Sequence, residues 1–170
     1  MAGERQGAVT MRGNPLTLLG NEVKEGQPAP DFSVLGNDMT PVTLADTSGI
    51  RVFLTVPSLD TGVCDAEVRR FNEEAAGLDN VTVYAISADL PFAQKRWCGN
   101  AGIDRVITLS DHRDMFFARA YGVQIKELRL LARAVFVVDA NNKVVYTQLV
   151  PEIAQLPDYD AVLAAVRRLQ

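Results

Sequence analysis

Ile50-Arg-Val-Phe-Leu-Thr-Val56, then Pro57-Ser-Leu-Asp-Thr-Gly-Val-Cys64, and further on Val81-Thr-Val-Tyr-Ala-Ile-Ser87 delimit the stretch from which the fold is read. The first and last are short β-branched and aromatic runs, the composition of buried strands, and the first stops at a proline. Between them Cys64, Val68, Phe71, Ala75 and Leu78 recur at spacings of four, three, four and three, which is one face of an α-helix. Strand, helix and strand form a βαβ unit, whose crossover sets the two strands parallel.

Working outward, Asp89–Gly99 reads as a short helix with proline near its start and glycine just past its end. A strand follows at Val106–Leu109, then a helix from about Asp111 to Tyr121 that ends at Gly122. Ala134–Val138 and Val144–Leu149 are strands joined by the turn Asp139-Ala-Asn-Asn-Lys143. Asp158–Leu169, with Val162, Ala165 and Val166 apolar, reads as an amphipathic helix. Upstream, residues 8–19 hold two short alternating runs around Gly13 and Asn14, a hairpin signal, and Gly26–Ser33 is a proline-stiffened connector. This order predicts an α/β fold of the thioredoxin-like type: a mixed central sheet flanked by helices, with an N-terminal β-hairpin. One domain over residues 1–170 is expected, with residues 1–8 as a flexible extension.

Composition narrows the function classes. The 170 residues are 48% hydrophobic and carry a formal charge of −4, which argues against general nucleic-acid binding because that needs a dense basic face. No window approaches the roughly 18 uninterrupted apolar residues of a membrane span. Met1–Gly13 holds Arg5 and Arg12 but no apolar core followed by a small-residue cleavage site, so a cytoplasmic location is expected. With two cysteines and one histidine, His112, the usual ligand set of a structural zinc site is missing, and neither metal nor cofactor is expected. Cys64 and Cys98 are therefore either two inert core thiols or a redox pair.

Pro57–Cys64 runs from a strand end through a turn into the first turn of a helix. Unpaired N–H groups and the macrodipole there favour negative charge, and the thiolate is the nucleophilic form of cysteine. Asp60 or Thr61 caps the helix, and the Thr61 hydroxyl, three residues ahead of Cys64, is in a position to approach the sulfur or a bound oxygen. Pro57 fixes the chain's entry and shields the sulfur. Periodicity alone leaves a second reading equally open, in which Cys64 is simply the first small residue of the apolar stripe.

The pattern Pro57-x-x-x-Thr61-x-x-Cys64 resembles the active-site signature of peroxiredoxins. With Arg69 and Phe71-Asn72, the segment is similar to the thiol peroxidase branch of that family, of the atypical two-cysteine type. Further blocks share the likeness, which spans about residues 10–170: Gly13-Asn-Pro, Ile86-Ser-Ala-Asp-Leu-Pro-Phe-Ala-Gln94, Trp97-Cys-Gly99, Val106-Ile-Thr-Leu-Ser110, Ala120-Tyr-Gly-Val123, Ala132-Arg-Ala-Val135 and Gln148-Leu-Val150. The resemblance implies a peroxidase in which Cys64 attacks a hydroperoxide and Cys98 resolves the resulting sulfenic acid as an intramolecular disulfide. Thr61 is then the hydroxyl partner and Arg133 the guanidinium beside the sulfur. It also implies thioredoxin as reductant and a homodimer formed through loops near the site.

Chemistry is consistent with each role. A permanently charged guanidinium holds a thiolate and polarises the O–O bond as charge builds on the leaving oxygen. Without the likeness, Arg133 reads as an ordinary strand-end ion pair. Arg69 and Arg70 read as solvent-facing or structural charges, His112 as a surface or capping residue, and Phe92, Trp97 and Tyr121 as either pocket or core. A thioredoxin-type reductase is disfavoured because no second cysteine lies between Gly62 and Glu67. The alternative from another class is a redox sensor or partner-binding module, distinguished by one oxidation event instead of steady turnover.

Overall fold

A strand buried along its whole length runs inside the larger sheet and packs against the helix that carries Cys64. In order, the chain runs β1 (Glu4–Met11), β2 (Asn14–Leu19), β3 (Ser33–Leu35), β4 (Pro41–Thr43), a 3₁₀ turn (Leu44–Asp46), β5 (Ile50–Thr55), α1 (Gly62–Glu74), β6 (Val81–Ser87) and α2 (Pro91–Ala101). It continues with β7 (Val106–Ser110), α3 (Phe116–Ala120), β8 (Gln124–Ile125), β9 (Leu130–Leu131), β10 (Ala134–Val138), β11 (Val144–Leu149) and α4 (Tyr159–Arg167). The structure, a computed structural model, describes residues 3–74 and 78–170. Ala75 of the expected helix stripe lies outside the described residues, as do Met1 and Ala2.

Seven strands form a mixed sheet in the order β11-β10-β5-β6-β7-β3-β4, and β1-β2-β8-β9 form a second sheet. β5 pairs parallel with β6 and β6 with β7, while β10 runs antiparallel to β5, so the expected βαβ crossover and mixed sheet are both observed. Alternation along β5 separates two cores. Val52, Leu54 and Val56 face Cys64, Val68 and Phe71 of α1 and Val162 and Val166 of α4. Phe53 points the other way into a cluster with Phe32, Phe117, Tyr121 and Phe136, where the Phe117 and Tyr121 rings stack at 4.1 Å.

The structure corrects several sequence expectations. Residues 4–8, expected as part of a flexible extension, lie in β1, where Glu4 and Arg5 pair with Leu19 and Leu18 of β2 ahead of an irregularity that ends at Val9. α2 runs through Gly99 and ends at Gly102, whose left-handed φ of 69° is what a helix C-cap favours in glycine. Cys98 therefore lies within the last turn of α2. The expected helix at Asp111–Tyr121 shrinks to Phe116–Ala120. Asp111 folds back instead, its carboxylate accepting the N–H groups of Phe117 at 3.1 Å and Ala118 at 2.8 Å, which replaces the first helical turn by a turn with Met115 at φ 50°. The short strands β3, β4, β8 and β9 carry no hydrophobic period long enough to read.

Candidate active site

α1 begins beside the carboxyl end of β5 because Pro57 ends the strand and Thr61 caps the helix. Thr61 Oγ1 accepts the backbone N–H of Cys64 at 3.3 Å, and the Thr61 carbonyl accepts that of Asp65 at 2.9 Å. Of the two expected cap residues it is thus Thr61 that caps, and its hydroxyl faces the Cys64 amide. The connecting loop is stapled by an acid from beyond β6 that is not among the site residues expected from sequence. Asp89 accepts from Ser58 Oγ at 2.7 Å, Leu59 N at 2.8 Å and Ser87 Oγ at 2.7 Å. Pro57 is buried in this loop.

Cys64 and Cys98 are both free thiols. Cys64 is fully buried, at 0% exposure, at the head of the α1 stripe. Arg133, 2% exposed, reaches it from the segment just ahead of β10. Its Nη1 donates to Glu67 Oε1 at 2.9 Å, its Nε donates to the Ile153 carbonyl at 3.0 Å, and its backbone carbonyl accepts from Val150 N at 2.9 Å. Burial works against the guanidinium's charge, yet the negative charge of Cys64 and then of Glu67 outweighs it and lifts Arg133 above its ordinary value.

Glu67 is the acid of this pair and is itself fully buried. Burial pushes its carboxyl up to about 7 in spite of Arg133, and Oε2 has no hydrogen-bond partner among the described residues. A single good contact does not offset complete desolvation, so the carboxyl stays raised beside its cation. A signal for Glu67 existed in the sequence: three residues after Cys64, it falls on the buried face of α1, where an acid requires a cation.

Cys98 is half-buried, and its sulfur lies 3.6 Å from Thr108 Oγ1 on β7. Burial raises this thiol, with the Thr108 contact opposing. The Cys98 carbonyl accepts from Gly102 N and, at 3.1 Å, from Ile103 N, closing the end of α2. α1 and α2 are joined by neighbours of the two cysteines. Trp97 Nε1 donates to Asp65 Oδ1 at 3.0 Å, and Arg69 bonds Asp65 at 2.8 Å and the Ala101 carbonyl at 2.9 Å. Arg69 is structural in this sense, and so is Arg70, which pairs with Glu74 and lies 4.1 Å over the Tyr159 ring.

A cleft of about 300 Å³ opens along this seam, lined by Ser58, Asp60, Asp65, Arg69, Arg96 and Trp97 among others. Of the three aromatic candidates, only Trp97 lines it. Phe92 is 69% exposed on the surface, and Tyr121 is buried in the aromatic core on the opposite face of the sheet. His112 lies in the turn after β7, its carbonyl accepting from Arg129 at 3.1 Å. Among the described residues, no cluster of three or more His, Cys, Asp or Glu is arranged to hold a metal ion, and no helix is long and apolar enough to cross a membrane.

A buried thiol capped into a helix and set against a buried arginine defines a class of thiol-redox protein, and comparison with known proteins gives the family. Residues 24–163 match the family model described as Redoxin, and the chain belongs to that family. It is 59% identical over 161 residues to the thiol peroxidase of Halalkalibacterium halodurans, covering 94% of this chain and 97% of that one. Its identity to the thiol peroxidase of Bacillus subtilis is 59% over 162 residues, with 95% and 97% covered. The crystal structure of a peroxiredoxin-like protein from Aquifex aeolicus superposes with a TM-score of 0.90 at 43% identity, covering 99% of each chain. The activity that goes with this kinship is that of a peroxiredoxin-type peroxidase enzyme on a thioredoxin-like fold.

Proposed function

We propose that the Cys64 thiolate attacks the terminal oxygen of a hydroperoxide, releasing water or an alcohol and becoming a sulfenic acid. The Cys98 thiol then attacks that sulfur, water leaves, and a Cys64–Cys98 disulfide forms. A reduced thioredoxin dithiol takes over the disulfide and returns both thiols. Arg133 holds the thiolate and stabilises the departing oxygen, and Thr61 and Pro57 fix the helix start. The observation that carries this reading is the buried Arg133 guanidinium, a permanent charge held by Glu67 Oε1 at 2.9 Å and the Ile153 carbonyl at 3.0 Å and acting electrostatically on Cys64. Attack and resolution are separate steps because the sulfenic acid must form before the Cys98 thiol, 3.6 Å from Thr108 Oγ1 at the C-terminal end of α2, can condense with it.

Supporting a homodimer, Leu90 and Phe92 stand 51% and 69% exposed at the start of α2, near the cleft. The cytoplasm, where thioredoxin is kept reduced, suits this cycle. Pure protein mixed with hydrogen peroxide or an organic hydroperoxide, thioredoxin, its reductase and NADPH tests the proposal. Steady peroxide-dependent NADPH consumption supports it. A single oxidation event without turnover identifies a redox sensor instead.

A further inference from the structure

We propose that the N-terminal hairpin β1–β2, acting through Glu152, is a brace that positions Arg133 for the peroxide reaction, which makes Glu152 a positioning residue. The inference rests on the reading of Arg133 given above. Arg133 is aimed by two bonds from different parts of the chain: Glu67 on α1 holds Nη1, and the Ile153 carbonyl holds Nε. A planar guanidinium held at one nitrogen pivots about it, whereas two acceptors on different nitrogens fix both its plane and its direction. The Ile153 carbonyl is therefore as much a part of the aim as Glu67 is.

The segment that carries Ile153 follows β11 and belongs to no helix and no strand. What places it is the hairpin. Thr10 N donates to the Pro151 carbonyl at 2.7 Å, and Ile153 N donates to the Thr10 carbonyl at 2.9 Å, forming an isolated parallel bridge between Thr10 and Glu152. The Glu152 carboxylate completes the tie. Its Oε1 accepts from Thr10 Oγ1 at 3.1 Å and from Gly13 N at 2.9 Å, in the turn between β1 and β2. Its Oε2 accepts from Ala154 N at 2.9 Å. The N–H groups of Ala154 and Gly13 hold this carboxyl down to about 2, so the tie stays charged throughout any ordinary assay range.

The Ile153 side chain is buried in the same core cluster as Val9 and Leu16 of the hairpin. The hairpin lies in the second sheet, outside the seven-stranded sheet against which α1 and its Cys64 pack. The hairpin thus reaches Arg133 through its turn, Glu152 and the Ile153 carbonyl, with the Thr10 backbone bridge running alongside.

The test is a double-substitution cycle on the full chain. Stopped-flow kinetics give the second-order rate constant for the first peroxide equivalent in wild type, Glu152→Ala, Arg133→Lys and the double variant. Glu152→Ala is expected to slow this step about tenfold, the order of loss that follows from a misaimed group. In the Arg133→Lys background, where the fork is already lost, Glu152→Ala should change little further. If the two losses multiply, Glu152 only supports the fold and the proposal falls. If Arg133→Lys leaves the rate unchanged, the reading of Arg133 fails first and takes the brace with it. Thr10→Val, which removes one hydroxyl and keeps the β-branched shape, repeats the cycle with a smaller expected loss should Glu152→Ala not fold.

Discussion

Replacing Trp97 by phenylalanine isolates one of the bonds that tie α1 to α2, the helices that carry the two cysteines. The substitution keeps most of the aromatic packing and removes the indole N–H, which donates to Asp65 Oδ1 at 3.0 Å. Asp65 directly follows Cys64 and Trp97 directly precedes Cys98, so on the proposed cycle the bond spans the seam across which the disulfide would form. Bridging requires Cα atoms within about 7 Å. It also requires the Cys98 sulfur to leave Thr108. A hydrogen bond to a charged carboxylate contributes about 1.5–3 kcal/mol in a dry site. Here Asp65 keeps Arg69 as a partner and its side chain is 34% exposed, so water replaces much of the loss. The net effect on holding the seam closed is about 1 kcal/mol, a factor of about five in the open population.

The disulfide step should therefore run about fivefold faster in Trp97→Phe, within the same seam energetics. The first reaction with peroxide should be unchanged, because Trp97 makes no bond to Cys64, Arg133 or Glu67. The assay mixes reduced protein with one equivalent of hydrogen peroxide, quenches at intervals with a thiol-alkylating reagent, and follows sulfenic acid and disulfide by intact-mass spectrometry. An unchanged or slower disulfide step, with the first phase intact, would refute the idea that this bond restrains resolution.

Cys64→Ser should abolish reaction with peroxide, whereas Cys98→Ser should consume about one equivalent and stall as a sulfenic acid open to further oxidation; stopped-flow measurement of the first equivalent decides, and the reverse pattern would exchange the two roles. Glu67 carries a carboxyl raised to about 7 by burial, so the folded state binds a proton that the unfolded chain, titrating near the ordinary value of 4.5, has released. Its contribution to stability is therefore lost as pH rises from about 4.5 to about 7. Urea unfolding across that range should show this decline in wild type and its absence in Glu67→Gln. Turnover should survive exhaustive chelation, as expected for chemistry carried by two thiols and a guanidinium; activity that disappears and returns with added metal would contradict this.

Local pattern in the sequence determined the parts that depend on near neighbours. The runs at Ile50–Val56 and Val81–Ser87, with the stripe from Cys64 to Phe71 between them, dictated a buried parallel pair and a helix on one face, because burial of alternating or 3.6-spaced apolar positions is set within a few residues. A helix start at Asp60 or Thr61 was legible for the same reason, and the structure chose Thr61. Boundaries went astray where a side chain or a glycine competes with the helix: Asp111 captured the backbone of Phe117 and Ala118, and Gly102, not Gly99, took the left-handed cap. Tertiary structure alone decided what surrounds the thiol. Arg133 lies 69 positions from Cys64, Asp89 reaches back across 30 residues to Leu59, and the Ile153 N–H donates to the carbonyl of Thr10 near the other end of the chain. No period or propensity encodes such meetings, since a hydrogen bond between distant residues exists only once the sheets have packed and water has been excluded from the donors and acceptors they bring together.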